Sequence, residues 1–379
     1  MQVFYRINNV PTHSVLLMPT REIAMNYPKG NIALGFCKAC GFIFNVEFES
    51  GKHEYSSRCE ETQGFSPTFN AFAKQMALYL IERYDLHNKE IIEIGCGKGE
   101  FLTLLCTLGG NRGIGFDPGY VNGRNKNETM NRITFINDFY SEKYAACQGD
   151  FICCRMTLEH IQPTADFLNT IRRSIGNRKN TIVFFQVPNV TRILREQAFW
   201  DIYYEHCSYF SPGSLARLFR KCSFDVVNIW KDYDDQYLMI EARLGKGTNM
   251  FHSDIEETTI ALSQDVLHFS KDYKNKLDVW KLKLQKTHRD GRKLVVWGSG
   301  SKGVAFLTTL EIQSEIEYVA DINPYKNGMY MAGTGQRIVS PDFLQKYKPD
   351  TVIVMNPMYV EEIRQDLNRM GLFAEIITV

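Results

Sequence analysis

EIIEIGCGKGEFLTLLCTLGGNRGIGFDP, residues 90–118, reads as a short apolar strand, a glycine-rich turn, a helix and a second strand. Gly95, Gly97 and Gly99 occupy alternate positions of the turn, where glycine allows a tight bend and lets a ligand approach the bare main chain. The second strand ends at Asp117. An acid at that distance from the turn can reach a ribose hydroxyl, so the stretch predicts a nucleotide site in a βαβ unit.

Two acids distinguish this turn from a dinucleotide site. The dinucleotide fingerprint G-x-G-x-x-G would have its third glycine where this chain has Glu100, and Glu93 lies two residues before the first glycine. A carboxylate there suits a cationic group, such as a sulfonium or an amino group, better than a pyrophosphate. The turn resembles motif I of the class I S-adenosylmethionine (SAM) methyltransferases, with Asp117 as the acid that binds the ribose. The alternative is a glycine-rich turn without a ligand.

The overall composition is typical of a soluble globular protein, with 44% hydrophobic and 23% charged residues. A chain of 379 residues is too long to fold around one ordinary hydrophobic core, so we predict two or three domains. The formal net charge of +1 does not indicate nucleic acid or an anionic membrane as a partner, and the oligomeric state stays open. No apolar run approaches the length of a membrane span, and the N-terminus lacks a signal-peptide core. Ten scattered cysteines are typical of reduced thiols, so we expect a cytoplasmic protein.

Residues 1–62 are predicted to form a strand-poor lead with one C-x-x-C pair, Cys37 and Cys40. The pair resembles half of a zinc knuckle, in which two thiolates on a tight turn bind the metal. A tetrahedral site needs two more ligands, and there is no second C-x-x-C. The further donors available in the lead are His13, His53 and Cys59. Zinc binding, a turn without redox function and the remnant of a lost site all remain open.

Residues 63–245 predict a doubly wound α/β domain. A helix with apolar residues on one face is expected before the first strand, and Tyr55 and residues 63–66 precede it, where a lid over the ligand can form. Further strands are predicted at residues 133–136, 150–155, 181–187, 224–229 and 236–243. Strands alternating with helices indicate a parallel sheet that binds ligands at the carboxyl ends of its strands. Asp138 and Met156 follow two of these ends.

A loop ahead of the helix that Ser211 is predicted to cap carries five aromatic or ionisable residues within seven positions. They are Tyr203, Tyr204, Glu205, His206 and Tyr209. A histidine flanked by an acid can have a pKa suited to proton transfer near neutral pH. This density favours a catalytic loop, although a polar loop that docks two layers of the fold would carry similar residues.

Residues 246–379 begin with a charged connecting helix, predicted at about 253–289, and continue as a second α/β unit. Its glycine turn matches G-x-G-x-x-G at Gly298, Gly300 and Gly303. With Asp321 at the end of the next strand, these features alone predict an NAD site. Lys302 lies inside the turn, however, and the unit is short. Further strands are expected at residues 351–355 and 374–379. A small Rossmann-like module that binds a phosphate is the safer prediction, because a helix N-terminus and a lysine bind any phosphate.

The order of these units is similar to that of the sugar C-methyltransferases, which methylate a ring carbon of nucleotide-linked keto-deoxysugars. That family's motif I-Y-x-E-H-x-S-Y-F-S stands here at residues 202–211, and its D-x-N-P-x-K stands at residues 321–326. The resemblance covers nearly the whole chain and implies an N-terminal zinc domain, a central SAM domain and a Rossmann-like C-terminal domain. It also implies that the sugar nucleotide lies in the cleft between them. The family's zinc domain usually has two C-x-x-C pairs; here the first is absent, with His13 in its general area.

The loop and the resemblance together predict carbon methylation. His206 removes a proton next to a ketone, Glu205 orients the imidazole, and Tyr203 donates a hydrogen bond to the substrate or enolate. The residues predicted to hold SAM are Glu93, Gly95, Gly97, Gly99, Asp117, Asp138 and Met156. The residues predicted to bind the acceptor, a small molecule of the nucleotide-sugar type, are Tyr55, Tyr209, Gly298, Gly300 and Lys302. The alternatives are an O- or N-methyltransferase, an NAD-dependent enzyme that uses the second glycine turn, and a SAM-binding protein without catalysis.

Overall fold

The computed structural model describes residues 1–52, 54–124, 128–245, 251–312 and 314–379. Within these ranges, three sheets of four, seven and five strands organise the chain. The strands are β1 (Gln2–Pro11), β2 (Lys29–Phe36), β3 (Ile43–Asn45), β4 (Glu90–Ile94), β5 (Arg112–Phe116), β6 (Ile133–Ile136), β7 (Phe151–Arg155), β8 (Ile182–Pro188), β9 (Ser208–Tyr209), β10 (Phe224–Asp232), β11 (Tyr237–Leu244), β12 (Leu294–Trp297), β13 (Tyr318–Ala320), β14 (Arg337–Val339), β15 (Thr351–Val354) and β16 (Glu375–Thr378). The helices are α1 (Arg21–Met25), α2 (Pro67–Tyr84), α3 (Glu100–Gly109), α4 (Thr164–Ile175), α5 (Val190–Glu196), α6 (Pro212–Lys221), α7 (Thr259–Arg289), α8 (Ser301–Thr309), α9 (Leu344–Tyr347) and α10 (Val360–Arg369).

The seven-stranded sheet has the order β10-β11-β8-β7-β4-β5-β6. β11 runs antiparallel to its neighbours β8 and β10, and the pairs from β8 to β6 are parallel. The apolar run of β8 is buried on both faces, as its composition predicts for a central parallel strand. The chain leaves β4 for β5 on one side and returns to β7 on the other, which opens a crevice at the carboxyl end of β4. The predicted class I methyltransferase sheet is confirmed.

Two helices next to this sheet begin after serine caps, and the second cap, Ser211, is the predicted one. Ser66 accepts a hydrogen bond from Phe69 N and caps α2, whose buried face includes Met76 and Leu80. Ser211 forms a capping box with Ser214 at the start of α6. The periodicity and capping signals in the sequence are therefore sufficient to locate both helices.

The five-stranded sheet is parallel throughout, with the order β14-β13-β12-β15-β16. This confirms a smaller Rossmann-like unit, with one strand more than the sequence predicted. The missed strand is β14, which is three residues long. Three residues are too few to show a two-residue alternation, so this strand has no signal in the sequence.

The lead is not strand-poor, and that prediction is wrong. β1, β2 and β3 form an antiparallel sheet that β9 completes, in the order β1-β2-β3-β9. The register of β1 against β2 shifts between Val3 and Tyr5 and again between Ile7 and Val10. These irregularities interrupt the alternation of buried and exposed side chains, which hides the strand from a periodicity argument.

The lead shares one apolar core with α7 and the five-stranded sheet. Phe4 packs edge-on against Phe269, and Tyr5 packs against Phe269 and Tyr273 of α7. Trp280, also on α7, lies against Phe306 of α8. α7 is therefore a connector whose buried face joins the two ends of the chain. No helix among the described residues is both long enough and apolar enough to cross a membrane.

Candidate active site

A cavity of about 610 Å³ lies at the carboxyl ends of β4, β5 and β7, and all three units of the chain line it. The predicted site residues on its wall are His13, Tyr55, Glu93, Gly95, Gly97, Asp117, Asp138, Met156, Tyr203, Glu205, His206, Gly298, Gly300 and Lys302. Gly99, Tyr209, Cys37 and Cys40 lie outside the lining. Gly99 instead caps α3 in a left-handed conformation, with φ of 79°.

The glycine turn after β4 leaves its main chain open to the cavity. Gly95 has φ of 70°, and a Cβ there would lie 2.0 Å from Thr157 Oγ1, so the position requires glycine. Asp117 Oδ2 accepts a hydrogen bond from Gly97 N at 2.9 Å, and Oδ1 accepts one from Gly119 N at 2.7 Å. Burial raises the pKa of Asp117, and these two donors oppose the rise. The turn and the acid predicted to bind ribose are thus held together.

Glu93 and Arg155 face the cavity from the neighbouring strands β4 and β7. Glu93 is 2% exposed, and burial raises the pKa of its carboxyl to about 8. Arg155 Nε donates to Gln186 Oε1 at 2.8 Å, and its guanidinium lies 3.8 Å from the centre of the Phe101 ring. Sequence analysis assigned Arg155 no role of its own, because its individual signal was only a basic residue at the carboxyl end of a buried strand.

The segment predicted as a lid, residues 63–66, lies on the cavity wall. Gln63 Oε1 accepts a hydrogen bond from the Tyr359 hydroxyl at 2.7 Å, and Ser66 Oγ donates to Glu362 Oε2 at 2.7 Å. Both partners belong to the C-terminal unit. The segment is therefore tied across the boundary between the two α/β units.

Asp138 and Met156 occupy the rim that the sequence assigned to the cofactor. Asp138 Oδ2 accepts a hydrogen bond from the Tyr144 hydroxyl at 2.6 Å and forms an ion pair with Lys143. Met156 has φ of 50°, and its N–H donates to Gln186 O at 2.8 Å. The left-handed residue turns the chain out of β7 and into the segment that carries Glu159.

The N-terminal sheet holds the loop that was predicted to be catalytic in place. Tyr209 and Ser208 in β9 pair with Ile43 and Phe44 in β3. Asn45 N donates to the carbonyl of Cys207 at 2.9 Å, one residue after His206. The lead thereby fixes the end of the loop that carries the predicted base.

His206 is 4% exposed and lies beside a carboxylate that the sequence analysis did not assign. Its Nε2 is 3.9 Å from Glu159 Oε1. Burial raises the pKa of Glu159 to about 8, and neither of its carboxylate oxygens has a hydrogen-bond partner among the described residues. The rings of Tyr203 and His160 lie 4.1 and 4.7 Å from the His206 ring. Glu159 was missed because its only signal, a position after the end of β7, does not show where its side chain points.

Glu205, the predicted orienting acid, contacts the lead instead. Its Oε1 accepts a hydrogen bond from Ser14 N at 2.9 Å and another from the Ser14 hydroxyl. The same hydroxyl lies 2.7 Å from Ser301 Oγ at the start of α8. Burial raises the pKa of Glu205 to about 7. This chain of contacts joins the loop that carries His206 to the second glycine turn.

The two tyrosines predicted to bind the acceptor occupy different environments. Tyr55 lines the cavity, with its ring edge-on to His160 and Phe139. Tyr209 is 3% exposed, and its hydroxyl donates to Tyr203 O at 3.3 Å beneath the loop. Direct binding of the acceptor by Tyr209 is therefore not supported, because the side chain stabilises the loop from behind.

The second glycine turn borders the same cavity through Gly298 and Gly300. Lys302, predicted to bind a phosphate, points instead into the central unit. Its Nζ donates to Asp201 Oδ2 and to Gln236 Oε1, both at 3.0 Å. Asp321 accepts hydrogen bonds from the main-chain N–H and hydroxyl of Ser299, so its carboxylate is already engaged by the protein. The alternative of an NAD site at this turn stays a prediction.

The C-x-x-C pair lies on the turn between β2 and β3. Contacts from Cys40, its main-chain N–H first, lower the pKa of Cys37. His13 lies elsewhere, with Nε2 3.6 Å from Cys59 Sγ, so the prediction that it completes a site with the pair is wrong. His53 falls outside the described residues. Among the residues that the structure describes, the donors that gather in a group of three are Glu159, His160 and His206. Zinc at the C-x-x-C pair is therefore not supported.

Comparison with known proteins shows that each of the two α/β units matches a protein-family model. Residues 69–229 match a methyltransferase domain, and residues 254–373 match the C-methyltransferase C-terminal domain. The chain belongs to the SAM-dependent C-methyltransferases. One member, C-methyltransferase NovU from Streptomyces niveus, is 23% identical over 299 residues, which cover 75% of this chain and 70% of NovU.

Solved methyltransferase structures resemble part of this C-methyltransferase. A Burkholderia thailandensis 1,6-didemethyltoxoflavin-N1-methyltransferase with bound S-adenosylhomocysteine (SAH) is 15% identical, with a TM-score of 0.35 over 48% of this chain and 82% of that one. Magnesium protoporphyrin IX methyltransferase from Synechocystis PCC 6803, also with SAH, is 12% identical, with a TM-score of 0.35 over 47% and 84% of the two chains.

The cavity residues of this C-methyltransferase fit SAM. Glu93 Oε2 is buried without a hydrogen-bond partner among the described residues, as expected for a group that binds a cation. Gly95 and Gly97 line the cavity, and a Cβ at either would lie within 3 Å of a neighbouring side chain, Thr157 or Glu61. Asp117 lies on the same wall, at the end of the adjacent strand.

Proposed function

We propose that this C-methyltransferase methylates a carbon next to a ketone in a sugar-like small molecule, such as a nucleotide-linked keto-deoxysugar. The observation that carries the proposal is the buried His206–Glu159 pair, 3.9 Å apart, in the cavity that the glycine turn lines. Carbon next to a ketone is a weak acid and needs a positioned base, whereas many oxygen and nitrogen acceptors need less assistance. The similarity to NovU also supports a carbon acceptor.

The residues of the loop supply the groups that deprotonation needs. His206 takes the proton, and the electrons of the C–H bond move to the ketone oxygen to form an enolate. The carboxylate of Glu159 stabilises the imidazolium that results, the role that the sequence analysis gave to Glu205. Burial raises the pKa of Tyr203 well above 10, so its hydroxyl keeps its proton and can donate to the enolate oxygen.

The placement of the cofactor next to the enolate assists the methyl transfer itself. Bound SAM provides the methyl group, whose bond to sulfur breaks as the bond to the enolate carbon forms, with the electron pair staying on sulfur. Glu93, Gly97 and Asp117 hold the cofactor end of the cavity, and Tyr203 and His206 lie on the wall of the same cavity. His206 then releases its proton to solvent, which restores the neutral base.

The second glycine turn supports a nucleotide-linked acceptor. Gly298 and Gly300 line the cavity, and Gly300 caps α8, whose first main-chain N–H groups can bind phosphate. Gly303 packs so closely that a Cβ there would lie 2.3 Å from Gly298 O. The phosphate contact predicted for Lys302 is not part of the proposal, since its amine is engaged by the central unit.

His206→Asn tests the base. On a panel of nucleotide-linked keto sugars we expect turnover, measured as SAH release, to fall roughly 10²–10⁴-fold, the usual contribution of a general base. SAH affinity, measured by calorimetry, should stay near the wild-type value. The exposed residue His268 on α7 provides the matched control, His268→Asn. NMR of the product should show the new methyl group on carbon.

A second readout isolates the proton transfer. In D₂O with SAH in place of SAM, the wild-type enzyme should exchange the hydrogen next to the ketone, and His206→Asn should exchange it far more slowly. Wild-type turnover in the variant, or a methyl group on oxygen or nitrogen, would contradict the proposal.

A further inference from the structure

Glu93 and Arg155 lie on adjacent parallel strands and line the same end of the cavity. The positive charge of Arg155 opposes the rise in the pKa of Glu93, yet Glu93 Oε2 has no hydrogen-bond partner among the described residues. A buried acid and a guanidinium that face the same end of a cavity are suited to a ligand that carries both charges, because the ligand's cation favours the ionised form of the acid.

Each group has unused hydrogen-bonding capacity. Glu93 is 2% exposed, and its Oε2 has no partner among the described residues. Arg155 uses Nε on Gln186, and the face of its guanidinium lies on the ring of Phe101. These two contacts fix the orientation of the forked guanidinium group of Arg155. No hydrogen bond from its two terminal nitrogens is found within the described ranges. A carboxylate is the ligand group that such a fork binds through two parallel bonds.

The order of the strands places this pair along the path of the cofactor. β4 lies between β5 and β7 in the sheet. A nucleoside whose ribose meets Asp117 at the end of β5 crosses the glycine turn after β4, and what extends beyond it arrives at the end of β7. Arg155 is the last residue of β7. In SAM, the part that extends from the sulfur is a zwitterionic amino acid.

We propose that Arg155 binds the carboxylate of the amino-acid end of SAM, opposite Glu93, which binds its ammonium group. Arg155 is thereby a specificity-determining residue, because it selects nucleosides that carry an intact amino acid. Lys98 does not take this role: its Nζ donates to Gly119 O at 2.9 Å and lies 3.5 Å from Glu61. The proposal rests on cofactor binding alone and is independent of the acceptor and of His206.

The test compares two ligands that differ by one carboxylate: SAH and decarboxylated SAH, which keeps the ammonium group. Calorimetry at fixed pH and salt gives the dissociation constant of each for the wild-type enzyme and for Arg155→Gln. We expect the variant to bind SAH about 10–100-fold more weakly, the range for a lost charge-assisted pair of hydrogen bonds, and to bind decarboxylated SAH within about twofold of wild type. Arg112→Gln, at a side chain that is 74% exposed on β5, is the matched control.

Two outcomes would overturn the proposal: equal weakening of both ligands, which indicates a general distortion of the site, and no weakening of either. An acceptor group as the true partner of Arg155 would also leave SAH binding unchanged. Should Arg155→Gln fail to fold, the wild-type enzyme still decides the matter. It must bind decarboxylated SAH about 10–100-fold more weakly than SAH, and equal affinities would refute the assignment.

Discussion

Replacing Glu159 by glutamine tests the electrostatic part of the mechanism with little change in shape. The amide keeps the size of the side chain and removes its negative charge beside His206. We expect kcat to fall while the dissociation constant of SAH stays unchanged, because Glu159 acts on the imidazolium that forms only during deprotonation. Glu142→Gln is the matched control, since the Glu142 side chain is 65% exposed and pairs with Arg173 on the surface.

The magnitude follows from the geometry. Two unit charges about 4 Å apart interact by about 4 kcal/mol at an effective dielectric constant of about 20, and His206 Nε2 lies 3.9 Å from Glu159 Oε1. The pKa of Glu159 is about 8, so at pH 7 its carboxyl must first lose a proton, at a cost of about 1.4 kcal/mol. The difference, about 2–3 kcal/mol, corresponds to a loss of roughly 30- to 150-fold in kcat.

The dependence on pH provides the sharper assay. Because only the carboxylate stabilises the imidazolium, wild-type kcat should rise as pH increases through about 8, and Glu159→Gln should lack this rise. Initial rates of SAH release between pH 6 and 9.5, with saturating SAM and acceptor, measure both effects. A variant with wild-type kcat, or with the same pH profile, would refute the role given to Glu159.

Three further predictions address stability and cofactor binding. In the folded protein Glu93 and Glu159 have pKa values of about 8, whereas the ordinary value is 4.5. Between these two values the unfolded chain binds fewer protons than the folded one, so thermal stability should fall as pH rises from about 5 to 8. The double variant Glu93→Gln with Glu159→Gln should show a weaker dependence of the melting temperature on pH in calorimetric scans. Lys302→Met leaves Asp201 without one partner and should cost about 3 kcal/mol in denaturant unfolding, and an unchanged midpoint would show that the tie is dispensable. Replacing both Cys37 and Cys40 by serine should leave turnover and the zinc content of the purified protein unchanged. A loss of bound zinc in this variant would instead support a zinc knuckle at the pair.

The central fold could be predicted because its signals are local. A glycine turn, an apolar run and a capping serine each lie within one short stretch, and the strands at β4, β5 and β6 follow directly from them. The same locality placed Glu93 and Asp117 correctly at the edge of the cavity.

The parts that sequence reasoning missed depend on contacts between distant segments. β9 pairs with β3 although more than 160 residues separate them along the sequence, and no local sequence pattern indicates that pairing. The sequence places Lys302 on a phosphate turn, yet packing of the two α/β units directs its amine to Asp201. Likewise, the sequence puts an acid next to His206 at Glu205, whereas the fold brings Glu159 there from another loop.

The pairing of β9 with β3 limits how far this enzyme can be shortened. A fragment that starts at α2 would contain every glycine of the cofactor turn and the whole catalytic loop. It would lack β1, β2 and β3, the sheet to which Ser208 and Tyr209 add the fourth strand. It would also expose the apolar side chains that pack against the lead in the full chain. The minimal active fragment therefore has to begin at β1, although no residue of β1 lines the cavity and the first residue of the lead on its wall is His13.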